Sequence, residues 1–341
     1  MQESQEQTRR TRSTAARAAL VAAGVAAAAL ILSGCESPSI LRAEGSAGTE
    51  IVTLALWVFA ILAGVLVTVW GILAYVILTG RRRREEDASR NKGNLKIEII
   101  WTAIPAVIVT VLFVLTVITT ERINVPKSGA DFTAIGRQWW WDFRYPDLGF
   151  NAPNEVYVPV DRQVDIRIES ADVVHSFWVP QMGGKVDMIP GHINHIHFVP
   201  LTAGSYLGEC AEFCGVQHGN MRFLFEVVSL EEYSEWVRRQ QEPAAEPTSA
   251  AAVAGRGVTA SVGCGSCHVI RGTTMSGTFG PDLTHFGSRQ GIAAYTLPNT
   301  PENLLLWIQD PQGVKPESNM PNVPLPLQQQ REIVAYLEEL Q

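Results

Sequence analysis

Hydrophobic and polar positions divide the chain into regimes with different periods. Residues 18–32 form an uninterrupted, alanine-rich apolar run behind Arg9, Arg10, Arg12 and Arg17. Residues 51–78 carry no charged side chain, and residues 99–120 form a second long apolar run. Each of the two long runs, as a helix, can cross a hydrocarbon core about 30 Å thick. Pro105 falls in the first half of the second run, where a membrane helix tolerates it. From about Asp131 the period drops to two. Val164, Ile166 and Ile168 alternate with Gln163, Asp165, Arg167 and Glu169, and residues 222–228 are rich in β-formers. Pro180, Gly183-Gly184 and Pro190-Gly191 punctuate the gaps, so a sandwich or barrel of short strands is expected. Helical spacing returns at Ser229, which with Glu232 reads as a capping box ahead of Leu230, Tyr233, Trp236 and Val237. Residues 241–254 are rich in Ala, Pro and Glu, the composition of a tether. Thr300-Pro301 then opens a helix with Leu304, Leu305, Trp307 and Ile308, and residues 328–340 make a terminal helix.

The first apolar run is too short and too weakly hydrophobic for a preferred span. It ends in Leu32-Ser33-Gly34-Cys35, which resembles the lipobox of bacterial lipoproteins. On that reading residues 1–34 are a signal peptide, cut so that Cys35 becomes a lipid-bearing N-terminus. The competing reading is a retained helix with an ordinary cysteine. Residues 80–97, between the two long runs, hold seven Arg or Lys against fewer acids, so the positive-inside rule places that loop in the cytoplasm. Residues 35–50 and everything after residue 120 then face outward, which agrees with an export signal. Glu98 sits at the cytoplasmic mouth of the second span. An acid there is either a solvated helix end or a group that feeds protons inward.

Among 341 residues the formal net charge is -7, which argues against a nucleic-acid partner and for a basic one. There are five cysteines, and an odd count argues against a pure disulfide framework. Cys210, Cys214, His218 and Met221 fall in one short segment, with His175 far upstream. Two thiolates four residues apart, with imidazole and thioether, form a donor set suited to copper electron transfer. Two sulfurs can bridge a copper pair. A Cys210–Cys214 disulfide would leave His218 and Met221 unexplained, and zinc has no use for Met221. Cys264-Gly265-Ser266-Cys267-His268 is the attachment signature of c-type haem, with His268 as one axial ligand. Met320, in Asn319-Met320-Pro321, suits the other axial position; Met275 is too close in sequence.

Several segments together resemble cytochrome c oxidase subunit II over about residues 51–240. They are Gly136-Arg137-Gln138-Trp139-Trp140-Trp141, the run from Ser170 through His175 to Pro180, Lys185-Val186-Asp187 with Pro190-Gly191, the cysteine motif, and Glu98 to Pro105. The C-terminal segment resembles a small class I cytochrome c. The resemblance implies a multidomain membrane protein: a two-helix transmembrane hairpin (51–120), an all-β cupredoxin-like domain with a trailing helix (121–240), a linker (241–254) and a small all-α cytochrome c domain (255–341). It implies a dinuclear CuA centre bridged by Cys210 and Cys214. His218 and the Glu212 carbonyl would serve one copper, His175 and Met221 the other. The Glu212 side chain would help hold magnesium at the boundary with subunit I. Trp139 would be where electrons reach CuA, and Glu98 the mouth of a proton channel.

Arg137, His192 and Arg144 depart from common family residues, which argues against the usual docking of a soluble basic cytochrome here. His195 and His197 would share a strand face, but the family offers no ligands there and structural histidines are expected. Alternation through Trp139, Trp140 and Trp141 would put the first and third on one face. The reading that follows is a non-catalytic relay in the bacterial cell membrane: an upstream cytochrome or reductase, haem c, CuA, then haem a of subunit I. Other oxidase subunits and membrane lipid would be further partners. A CuA subunit of a nitric-oxide reductase is the alternative. A copper chaperone or redox sensor would need neither Met221 nor a fused haem.

Overall fold

The computed structural model describes residues 38–80, 93–124 and 129–341. The expected leader, Cys35 and most of the basic loop lie outside the described residues. Two long helices, α1 (Ser46–Gly80) and α2 (Leu95–Ile123), have mean hydropathies of 2.6 and 2.5 and expose their apolar side chains along most of their length. At 1.5 Å per residue both exceed the thickness of a bilayer core. Helix α1 begins five residues before the apolar run that was expected to span. Its first turn is fastened to the β-domain instead of facing lipid. Ser46 N donates to Val199 O at 2.9 Å, Gly48 N to Met182 O at 3.0 Å, and Ser46 Oγ accepts from Val199 N. Near the same end Arg122 meets Glu50 at 3.3 Å. Glu98 lies exposed in the first turn of α2, which Asn94 caps by accepting from Lys96 N.

The period-two segment forms two five-stranded sheets. In chain order the strands are β1 (Phe132–Arg137), β2 (Trp140–Tyr145), β3 (Phe150–Pro153), β4 (Glu155–Pro159), β5 (Val164–Ser170), β6 (His175–Trp178), β7 (Val186–Met188), β8 (Asn194–Phe198), β9 (Gly204–Cys210) and β10 (Arg222–Val228). One sheet runs β3-β2-β1-β5-β8, the other β4-β10-β9-β6-β7. The pairs β1–β5 and β4–β10 are parallel. Inward-facing aromatics fill the space between the sheets. Trp141 and Phe223 have ring centroids 4.8 Å apart, and Phe177 and Phe223 5.0 Å. Helix α3 (Leu230–Gln241) carries the expected capping box at Ser229 and Glu232 and buries Trp236 against Tyr157, Phe150 and Tyr145.

The C-terminal segment folds as α4 (Ala250–Ser261), the short pair β11 (Gly291–Ile292) and β12 (Leu297–Pro298), α5 (Pro301–Gln309), the single turn α6 (Pro311–Val314) and α7 (Leu327–Glu339). Here the structure departs from the expected tether at 241–254. Helix α4 begins inside it, capped by Ser249, whose Oγ accepts from Ala252 N. The amides of Thr248 and Ser249 donate to the Glu339 carboxylate of α7, and Ala244 N donates to Arg271 O. An acceptor at the end of α7 satisfies backbone donors that a free linker would leave to water. The segment is therefore pinned to the domain that follows it.

Candidate copper and haem sites

Strand order brings the sulfur and imidazole donors to one end of the second sheet. His175 opens β6, Cys210 closes the neighbouring β9 and Met221 directly precedes β10. Cys214 and His218 come from the loop between β9 and β10. The two sulfurs lie 3.7 Å apart and unbonded, so the disulfide alternative fails. His175 Nδ1 is 3.9 Å from Cys210 Sγ, and His218 Nδ1 is 3.7 Å from Cys214 Sγ. Met221 Sδ lies 3.9 Å from Cys214 Sγ, and Glu212 O 3.2 Å from Cys210 Sγ. All six expected copper donors therefore converge. Both cysteines, His175 and Met221 are buried, which suits a dry soft-metal site. The shared hydrogen bond with Cys214 holds the Cys210 thiol low; the same bond and burial push Cys214 up.

Nearby residues hold these donors in orientation. Asp172 Oδ1 lies 2.7 Å from His175 Nε2, which leaves Nδ1 to face the sulfurs. Burial pulls His175 down, but the hydrogen bonds with Asp172 and Cys210 outweigh it and raise the imidazole. At Gly136 a Cβ would stand 2.7 Å from the His175 ring, so only glycine lets β1 pass this imidazole. Among the described residues, His175, Cys210 and Cys214 are the one group of three or more His, Cys, Asp or Glu side chains with ligand atoms close enough for a metal. His195 is spent on Asp165 at 2.9 Å, so the β8 histidines make no second such group.

Trp139 differs from its expected strand position. It lies in the turn between β1 and β2, where alternation does not apply, and is nonetheless only 8% exposed. Its Nε1 donates to Cys214 O at 2.9 Å, and Gln138 Nε2 donates to the same oxygen at 2.8 Å. Arg144 and Arg137 both turn to Asp142, at 2.8 and 3.5 Å, and Arg137 also stands over the Trp140 ring.

A cavity of about 410 Å³ lies beside this turn. Cys264, Cys267, His268 and Met320 line it, together with Trp139 and Trp140 of the copper domain. The size and largely apolar lining suit a cofactor. His268 Nδ1 donates to Pro281 O at 2.8 Å, which leaves Nε2 free for iron. Burial holds His268 below its usual range, against the bond to Pro281, and so favours the neutral ligand form. A Cβ at Gly280 would stand 2.6 Å from the His268 ring. The residues present fit a haem: Cys264 and Cys267 would attach it, and His268 and Met320 would be its iron donors. Met275 is instead buried in the core of this domain.

Sequence reasoning did not anticipate the seam between the sandwich and the C-terminal domain. Lys315 is buried, and its Nζ donates to Trp139 O, Asn220 O and Ala293 O at 2.8, 2.7 and 2.9 Å. Burial pulls Lys315 down to about 7, yet only the charged form supplies three donors. Gln217 Nε2 donates to Pro316 O and Asn319 Nδ2 to Gln138 O. Ala293, Ala294 and Tyr295 all have φ between 51° and 59°, an unfavourable conformation for non-glycine residues that persists where surroundings over-determine it. Contacts to the sandwich supply that determination. Ala294 O accepts from Arg222 N, and Tyr295 Oη donates to Glu155. No local motif marks Lys315, which stands between Val314 and Pro316.

Glu155 makes the seam sensitive to pH. It is 7% exposed on β4 and accepts from Tyr295 Oη at 2.5 Å and Gln290 N at 2.7 Å. Burial pushes its carboxyl up, against those hydrogen bonds and Arg289; Glu226 and Tyr157 also face this cluster. A raised pKa in the joined state means that protonation favours joining. That contribution is complete below the ordinary carboxylate range and is lost as pH rises through the raised value. Protection of the 290–295 amides, corrected for intrinsic exchange, should therefore fall with rising pH. Glu155→Gln should flatten the profile, and an unchanged profile would contradict the assignment.

Comparison with known proteins gives one family over nearly the whole chain. Residues 149–228 match the periplasmic domain of cytochrome c oxidase subunit II, residues 42–118 its transmembrane domain, and residues 252–341 cytochrome c. Cytochrome c oxidase subunit 2 of Alkalihalophilus pseudofirmus is 36% identical over 329 residues, covering 91% of this chain and 94% of that protein. The chain belongs to the cytochrome c oxidase subunit 2 family. Subunit 2 of Bacillus subtilis is 30% identical over 315 residues, covering 85% of this chain and 88% of that protein. Among solved structures, the periplasmic domain of subunit II from Bradyrhizobium japonicum is 34% identical, with a TM-score of 0.33; it covers 34% of this chain and 96% of that one. As an oxidase subunit II the chain is part of an oxidoreductase complex. Its cupredoxin-like and cytochrome c domains imply CuA copper and haem c.

Proposed function

We propose that this subunit relays electrons from an external donor through its cytochrome c domain and its copper domain to haem a of subunit I. The observation that supports the order of the relay is Trp139, which lines the haem-sized cavity and donates to the backbone of Cys214. Bound in these sites, haem c and a copper pair would each take up and release single electrons. The chain's own side chains hold those groups, exclude water and set their orientation. His175, Cys210, Cys214, His218, Met221 and the Glu212 carbonyl hold copper; Cys264, Cys267, His268 and Met320 hold haem. Oxygen chemistry belongs to subunit I, so this subunit is non-catalytic. Glu212, whose side chain is free of the copper donors' work, would hold magnesium at the subunit boundary, and Glu98 would admit protons at the inner end of α2. The copper and haem domains would lie outside a bacterial cell membrane, with a cytochrome or reductase as donor.

A soluble donor finds its face by diffusion and charge, both of which weaken on dilution or added salt. A covalently joined domain presents a high effective concentration that neither changes. Flash reduction of the haem, followed at the CuA absorbance, should thus give one internal rate over a range of ionic strength and protein concentration. A rate that falls on dilution or with salt would reverse the proposed order.

A further inference from the structure

We propose that Lys315 is a positioning residue that locks the loop carrying Met320 onto the copper-ligand segments, so that the two redox sites form one fixed body. This deepens the relay proposed above and rests on it. The loop from Lys315 to Met320 meets the copper domain at three places. The Lys315 ammonium holds Trp139 O and Asn220 O, and Asn220 directly precedes Met221. Pro316 O accepts from Gln217, the residue before His218. Asn319, the residue before Met320, donates to Gln138 O at 3.0 Å.

Gln138 is the point where these threads cross. Its carbonyl takes the bond from Asn319, its side-chain amide donates to Cys214 O, and its backbone N–H donates to Asp172 Oδ2 at 2.7 Å. Asp172 in turn holds His175. Neighbours of His218, Met221 and Met320, and direct partners of Cys214 and His175, therefore share one hydrogen-bonded network. Lys315 is its keystone, because its three acceptors come from three separate segments: the β1–β2 turn, the β9–β10 loop and the left-handed turn at Ala293. None of these acceptors is a carboxylate, so the buried cation cannot form a simple ion pair there. Without it Trp139 O and Asn220 O would lose this donor at the seam, each at a desolvation cost, while Ala293 O would keep the bond from Thr296 Oγ1. Such a site does not suit a domain that visits and leaves on a tether. It suits one that stays.

The test uses the intact oxidase carrying Lys315→Met, which keeps the length of the stem and has no donor. Amide exchange in residues 313–322 and 138–140 should rise on the order of tenfold or more. Copper and haem spectra should stay unchanged. Internal transfer should slow and become dependent on solvent viscosity, because the domain must now find its seat. Asn319→Ala, which removes one bond at an exposed position, should move exchange in the same direction by less. Exchange and transfer unchanged in both variants would overturn the lock. If Lys315→Met does not assemble, an unchanged exchange pattern in Asn319→Ala overturns it alone. A salt-sensitive transfer rate in the unaltered oxidase counts against the relay instead, and the exchange experiment still decides the lock.

Discussion

Cys214→Ser should strip the chain of its paired copper while leaving the haem intact. Cys214 Sγ is the centre of the donor cluster, lying within 3.7–3.9 Å of Cys210 Sγ, His218 Nδ1 and Met221 Sδ. A serine hydroxyl is a hard, shorter donor and cannot replace a soft bridging thiolate. Cys210 alone cannot bridge in the same geometry. Metal analysis of the purified oxidase, corrected for the copper of subunit I, should fall from two coppers per subunit to one or fewer. The mixed-valence EPR signal should vanish. The haem cavity lies beyond Trp139, so the absorbance of haem c should not change. Two retained coppers with a shared-electron spectrum would refute the ligand assignment.

The second large effect is expected at Trp139. Its ring lines the haem cavity, its indole N–H reaches Cys214 O, and its carbonyl is held by Lys315. Trp139→Ala removes a ring that, with the Gln138 side chain, lines the cavity and reaches Cys214 O, and opens a void in a buried contact. Flash-induced transfer from haem to CuA should slow on the order of 100-fold, the scale on which small misplacements act between reacting groups. Gln138 still donates to Cys214 O, so the copper spectrum should survive. Trp139→Phe separates the two contributions: it keeps an aromatic ring at the cavity and deletes the hydrogen bond. An intermediate rate is expected from it. Transfer in Trp139→Ala as fast as in the unaltered protein would remove Trp139 from the path.

The arginines at positions 137 and 144 acquire a different meaning once the seam is seen. In sequence they count against docking of a soluble basic cytochrome on this face. In the fold they are held by Asp142, beside a cavity already covered by the chain's own cytochrome domain. A covered face has no need of the negative charge that steers a diffusing partner.

The spans, the β-domain, both cysteine–histidine motifs and the helical C-terminal domain are legible along the chain. These rest on local order. Apolar run length sets a membrane helix, period two sets a half-buried strand, and Cys264 to His268 or Cys210 to Met221 present several ligands within one loop. Even distant His175 was legible through the motif around it. Tertiary structure alone decided what the C-terminal domain does with the copper domain. The seam joins Lys315 to Trp139, Asn319 to Gln138 and Tyr295 to Glu155, pairs 140 to 181 residues apart. It is made largely of backbone carbonyls meeting polar side chains, and every residue has a carbonyl, so no composition or spacing marks the partners. The pinning of residues 241–254 is hidden from the sequence for the same reason. Residues rich in Ala, Pro and Glu read as a tether until the Glu339 carboxylate, from the far end of the chain, takes the amides of Thr248 and Ser249.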